Sequence, residues 1–131
     1  MKCISIRQPW IWAILHCGKD IENRSWSTDY RGPILLHASN GMTLAEYYDF
    51  HNDVFGGRAP FAREVLSRHG SIPDSKSLPR GGIVGQADVV GCVTESDSPW
   101  FFGPYGFVLE NVRSLPFRPC KGALGFFEAT E

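Results

Sequence analysis

The chain has 131 residues, of which 43% are hydrophobic and 21% charged, with a net charge of −1. These values exclude a disordered chain, a fibre or a supercharged tail. They also argue against a protein that coats long stretches of phosphate backbone by bulk positive charge. The charge is unevenly spread. Residues 1–40 carry five Lys and Arg against three Asp and Glu, whereas residues 80–131 carry four against six. Any contact with nucleic acid is therefore expected in a local cleft built from the first forty residues.

In chain order, Cys3 to Ile6 alternates polar and apolar residues and predicts a short strand. Pro9 suits a first helical turn, the helix runs over Trp10 to Leu15, and Gly18 stops it. Ile21 to Ser25 predicts a second strand. Gly32-Pro33 is a turn, and Ile34 to Ala38 is apolar enough for a buried strand. From Thr43 to Phe55 the pattern is helical, with Thr43 and Glu46 spaced as a capping box. Phe61 to His69 predicts a further short helix. The Pro- and Gly-rich stretch from His69 to Gly82 reads as a polar, mobile loop. Strands follow at Ile83 to Val93, Gly106 to Leu109 and Gly125 to Ala129. The expected architecture is α+β: one domain over residues 1–131, built on a small mixed sheet or barrel, with helices plugging its openings and a helical insert in the middle.

No run of about 18 apolar residues is present, so no membrane-spanning helix is expected. The opening MKCISIRQPWIWAILHCGKD is interrupted by Arg7, Gln8 and Pro9 and lacks a small-residue cleavage site, which argues against a secretory leader. Cys3, Cys17, Cys92 and Cys120 form no C-x-x-C pair, and a cytoplasmic protein with reduced thiols is expected. The four histidines lack metal-ligand spacing and no Walker loop or G-x-G-x-x-G is present, so neither a metal nor another cofactor is expected.

Three clusters are candidates for chemistry. In the first, Lys19, Glu22 and Arg24, extended backbone puts Glu22 and Arg24 on one face, within reach of Lys19 at the preceding corner. A carboxylate beside a lysine can hold it charged or exchange its proton, and Arg offers a rigid donor fork for phosphate or a base edge. The bland alternative is an exposed ion-pair network. The second is Ser5, Arg7, Gln8 and Trp10, where a strand hands over to a helix; pocket lining competes here with ordinary capping. The third is aromatic: Trp26, Trp100 and Tyr105 lie near turns, where exposed rings can stack on bases, while Trp12 and Phe107 are expected in the core. His37 and Ser39 end a strand and can reach a pocket, though a serine–histidine dyad needs a third, orienting group. Cys17 reads either as a low-pKa thiol or as a buried structural cysteine.

The run Ser5-Ile6-Arg7-Gln8-Pro9-Trp10, the stretch Gly18 to Arg24 with Trp26, and Arg31-Gly32-Pro33 through His37-Ala38-Ser39 together resemble the ASCH domain family of the PUA-like superfamily. The family's G-x-K-x-x-E-x-R-like hallmark is approximated by Gly18, Lys19, Glu22 and Arg24, although here the glycine abuts the lysine. The resemblance implies a small PUA-like barrel with a cleft between its strands and the first helix. It implies that this cleft binds RNA, single-stranded nucleic acid or a modified nucleobase or nucleotide, in a protein expected to be monomeric. Some members are ribonucleases or amidohydrolases acting on N-acetylcytidine, which makes hydrolysis the alternative reading. In that amidohydrolase branch a lysine and a threonine act with a glutamate. The lysine matches Lys19, but the threonine position holds Glu22 here.

Overall fold

In the computed structural model, which describes residues 1–129, six strands form one sheet. They are β1 (Lys2–Ile6), β2 (Ile21–Arg24), β3 (Gly32–Ala38), β4 (Gly82–Val93), β5 (Tyr105–Pro119) and β6 (Phe126–Glu128), in the order β2-β5-β4-β3-β1-β6. β1 runs parallel to β3 and all other neighbours are antiparallel, so the sheet is mixed. It curls into a half-barrel whose two edge strands, β2 and β6, are not paired to each other. The α+β architecture expected from the sequence is the one observed.

The helix α1 (Trp10–His16) lies between two cores. Its Ile11 and Ile14 join Ile4, Ile34, Leu36, Val89 and Phe107 against the sheet. Trp12, Ala13 and Cys17 face the other way, into a second core with Tyr47, Phe50, Val54, Phe61, Val65 and Trp100. Gly18, at φ 72°, takes the left-handed conformation that ends α1 and turns the chain toward β2. The middle of the chain supplies the second core through α2 (Leu44–Phe55) and α3 (Ala62–Arg68). The capping box forms as the spacing predicts: Thr43 Oγ1 accepts from the Glu46 N–H at 3.1 Å, and the Glu46 carboxylate accepts from the Thr43 N–H at 2.9 Å.

Three expectations are corrected. Gly32 and Pro33 do not form a turn but open β3, opposite Val89 and Asp88 of β4. The stretch from His69 to Gly82 is anchored rather than loose. Ile72 and Leu78 are buried in the second core, Tyr47 Oη donates to the Pro73 carbonyl, and Ser75–Ser77 form a short 3₁₀ turn. β5 extends ten residues beyond Leu109. The alternation is broken there by Asn111, which sits at φ 54° and donates to Asp88 at 2.8 Å, and by Pro116. Past Leu109 the strand pairs only with β4, and an edge strand tolerates a proline.

Candidate functional site

A cavity of about 880 Å³ opens where β1 and β3 end side by side. Crevices at the carboxyl ends of parallel strands are recurrent ligand positions in open sheets. Its walls come from Ser5, Ile6 and Arg7 at the end of β1, Trp10 at the start of α1, Lys19 and Glu22 to Ser25 around β2, and His37, Ser39 and Asn40 at the end of β3; Phe102 and the segment Lys121 to Gly125 complete them.

The Lys19–Glu22–Arg24 cluster forms as the period of an extended strand requires. Arg24 Nε donates to Glu22 Oε2 at 2.9 Å, and Lys19 Nζ stands 3.6 Å from Glu22 Oε1. Lys19 is only 3% exposed; its ammonium also donates to the Ile21 carbonyl and lies 6.0 Å from the centre of the Trp10 ring. Burial pushes the Lys19 pKa below its ordinary value, and the Glu22 carboxylate opposes that shift. Two cationic side chains, Lys19 and Arg24, thus share the Glu22 carboxylate in the cavity wall. Arg24 also donates to the Ser5 carbonyl at 2.8 Å, which fastens β2 to β1 across the open side of the half-barrel.

His37 and Ser5 face each other in the β1–β3 ladder. His37 Nε2 lies 2.6 Å from the Cys120 carbonyl and must donate to it, because a carbonyl only accepts. In the neutral imidazole Nδ1 is then an acceptor, 2.9 Å from Ser5 Oγ, and the serine hydroxyl donates to it. Gly122 lies beside this pair; a Cβ there would stand 2.8 Å from His37 Cε1 and 3.1 Å from Ser5 Oγ, so a side chain would force the imidazole to shift. At the rim, Arg7 makes a two-point ion pair with Glu46, whose carboxyl is held down to about 2 by Arg7 and the Thr43 N–H. This contact ties the end of β1 to the start of α2.

Of the residues singled out in the sequence, Ser5, Arg7, Trp10, Lys19, Glu22, Arg24, His37 and Ser39 come together on this cavity. Four others do not line it. Trp100 is 1% exposed and stacks on Phe61 with ring centres 4.5 Å apart, so it is a core residue. The exposed ring of that loop is Phe102, at 55%. Trp26 packs edge-on against Phe107 and Phe126, closing the gap between β2 and β6. Gln8 is a buried cap: it accepts from the Trp12 N–H and donates to the Pro79 carbonyl. Tyr105 opens β5 opposite Arg24 and stays outside the cavity. Cys17 is the buried structural cysteine, its thiol pushed up to about 12 by burial.

Phe102 belongs to the aromatic loop that the sequence shows, whereas Asn23 and the Lys121-Gly122-Ala123-Leu124-Gly125 wall carry no chemical signature there beyond the charge of Lys121. Asn23 accepts from the Phe102 and Gly103 N–H groups and so sets the loop that presents Phe102. Among the described residues, no group of three or more His, Cys, Asp and Glu stands close enough to hold a metal ion. No helix there is long and apolar enough to cross a membrane.

The family model described as the ASCH domain matches residues 4–112. That span contains every cavity residue except the Lys121–Gly125 wall. Curated proteins return no significant match.

Proposed function

The chain belongs to the ASCH domain family, which is generally linked to RNA binding, and from that premise we propose that its cavity receives a nucleobase of single-stranded RNA or of a free, modified nucleoside or nucleotide. The observation that carries this reading is the pairing of basic side chains with apolar wall. Lys19 and Arg24 share a single carboxylate, while Trp10, Phe102 and Leu124 supply surfaces on which a flat ring can lie. Leu124 is 98% exposed and Phe102 55% exposed, and a ligand between these walls would cover both. Arg7, Arg24 and Lys121 are the cations available to a phosphate, and Ser39 and Asn40 are polar partners for a base edge. The cavity is large enough for one nucleotide rather than an extended duplex.

The test is a titration with a panel of modified nucleosides and short single-stranded RNAs, read by tryptophan fluorescence, for which Trp10 is the reporter in the wall. Phe102→Ala and Lys121→Ala alter exposed residues and are expected to weaken binding without unfolding the protein. Unchanged affinity in both, or no binding by any member of the panel, overturns the reading.

A second reading, hydrolysis of RNA or of an acylated nucleoside, is favoured by one observation: the pKa of Lys19 is lowered by burial while the ammonium stands beside Glu22. Such a pair can exchange a proton with substrate or water. Undiminished turnover by Lys19→Ala would refute it. The four free cysteines, two of them buried, fit a reducing compartment, and we infer a cytoplasmic protein.

A further inference from the structure

We propose that Ser5 is a nucleophile, activated by His37 and oriented through the Cys120 carbonyl, and that this dyad carries out acyl transfer on small carboxylic esters entering the cavity. Three observations converge on it. The hydroxyl and the imidazole are in hydrogen-bond contact at 2.9 Å, on residues paired in the β1–β3 ladder. The opposite ring nitrogen is held at 2.6 Å by a backbone carbonyl, which fixes the tautomer that leaves Nδ1 free to take the serine proton. Finally, Ser5 and His37 both line the cavity, so a bound carbonyl can reach the oxygen. The orienting group is a main-chain carbonyl from β5's end, eighty-three residues from His37, which is why spacing in the sequence does not reveal it.

The chemistry balances without any co-reactant except water. Ser5 Oγ bonds to the ester carbonyl carbon as its proton passes to His37 Nδ1, and the carbonyl π pair moves to the oxygen. Collapse of that intermediate breaks the bond to the alcohol, which leaves with the proton from His37. Water then adds to the acyl-Ser5, giving a proton to His37, and the carboxylic acid departs as the proton returns to Ser5 Oγ. Arg24, which donates to the carbonyl of the same serine, places a cation beside this residue. Gly122 belongs to the same arrangement, because any side chain there would push into the dyad.

An alkyl fluorophosphonate tests the nucleophile directly. Ser5 Oγ bonds to phosphorus, fluoride leaves, and the proton goes to His37. Intact-mass and peptide mass spectrometry of the wild-type chain are expected to show one adduct, located on Ser5. Ser5→Ala should take none, and His37→Gln should be labelled at least about 100-fold more slowly. Hydrolysis of p-nitrophenyl acetate should follow the same order. No adduct, an adduct on another residue, or wild-type labelling of His37→Gln overturns the proposal. The map on the wild-type chain is decisive even if a variant fails to fold. Nucleobase binding is measured separately by fluorescence, so either reading can fail while the other stands.

Discussion

Replacing Glu22 by Gln removes the one carboxylate that two cations share, and its cost can be worked from the geometry. Lys19 is 3% exposed, with its ammonium 3.6 Å from Glu22, and Arg24 donates to the same carboxylate at 2.9 Å. Removing one member of a buried ion pair leaves an uncompensated charge, which costs about 3–5 kcal/mol at neutral pH. Arg24 is partly exposed and keeps its bond to the Ser5 carbonyl, so most of that cost falls on Lys19. The pH dependence identifies the group. Burial already holds the Lys19 pKa below its unfolded value, and Glu22 opposes that shift, so Glu22→Gln lowers the folded pKa further. A base with a depressed folded pKa is held charged at a cost below that pKa. The protein therefore gains stability as pH rises from the folded toward the unfolded value, by at most about 1.4 kcal/mol per pH unit. Cys3 and Cys17 act oppositely: both thiols are pushed up to about 12, so stability is lost as pH climbs above their unfolded value of 9.0. The thiol effect is common to both proteins, and the difference between variant and wild type cancels it. Urea unfolding at a series of pH values from 7 to 10 should show a deficit that is largest at pH 7 and narrows on going alkaline. A deficit below about 1 kcal/mol, or one that does not change with pH, refutes the assignment of Lys19 as a buried charge compensated by Glu22.

Further expectations follow from individual contacts. Trp100→Ala should cost about 3–5 kcal/mol by chemical denaturation, since it empties the stack on Phe61. Trp100→Phe should cost far less, because the buried indole N–H has no partner to lose among the described residues. Phe102→Ala should stay within about 0.5 kcal/mol of wild-type stability yet lose about 1–3 kcal/mol of base-stacking affinity. The folded-state pKa of Glu46 is depressed to about 2, so its stabilising contribution is present above its unfolded value of 4.5 and lost as pH falls from there toward 2. Glu46→Gln should lack that acid-side loss in unfolding curves measured from pH 6 to 2. RNA affinity should fall only slightly with salt, with a slope in log K against log salt of about −1 to −2, because the cavity can neutralise few phosphates. A steep slope contradicts a single-nucleotide site.

How much of this was legible in the sequence depends on the range of the interaction involved. The Lys19–Glu22–Arg24 cluster and the Thr43–Glu46 box lie within a few residues of each other, so strand and helix periods alone bring them together. Trp100 and Phe102 are two positions apart in one aromatic loop, and nothing local says which ring turns inward. That is settled by Phe61, thirty-nine residues earlier, and by Asn23, which holds the Phe102 amide. Trp26 looks like a free ring near a turn until β6 supplies Phe126 from the far end of the chain. The Lys121–Gly125 wall is equally hidden, since small and apolar loop residues acquire meaning only from what they cover.

The open side of the half-barrel accounts for why buried charge and binding surface coincide. A closed small barrel fills its interior with apolar side chains. Here β2 and β6 do not pair, and the gap is spanned instead by the Trp26–Phe126 contact and by Arg24 reaching the Ser5 carbonyl. Glu22 accepts from the guanidinium that makes that span while also standing beside Lys19. The desolvation of these groups weakens the fold locally, and the second core offsets it: Phe50 from α2, Phe61 just before α3 and Trp100 from the loop before β5 pack behind α1, and Arg7–Glu46 fastens that layer to the rim. The helical insert is therefore a buttress for the site rather than a lid over it. A chain lacking residues 43–80 would leave Trp12, Cys17 and Trp100 uncovered and should lose the cavity together with its stability, not merely its upper wall.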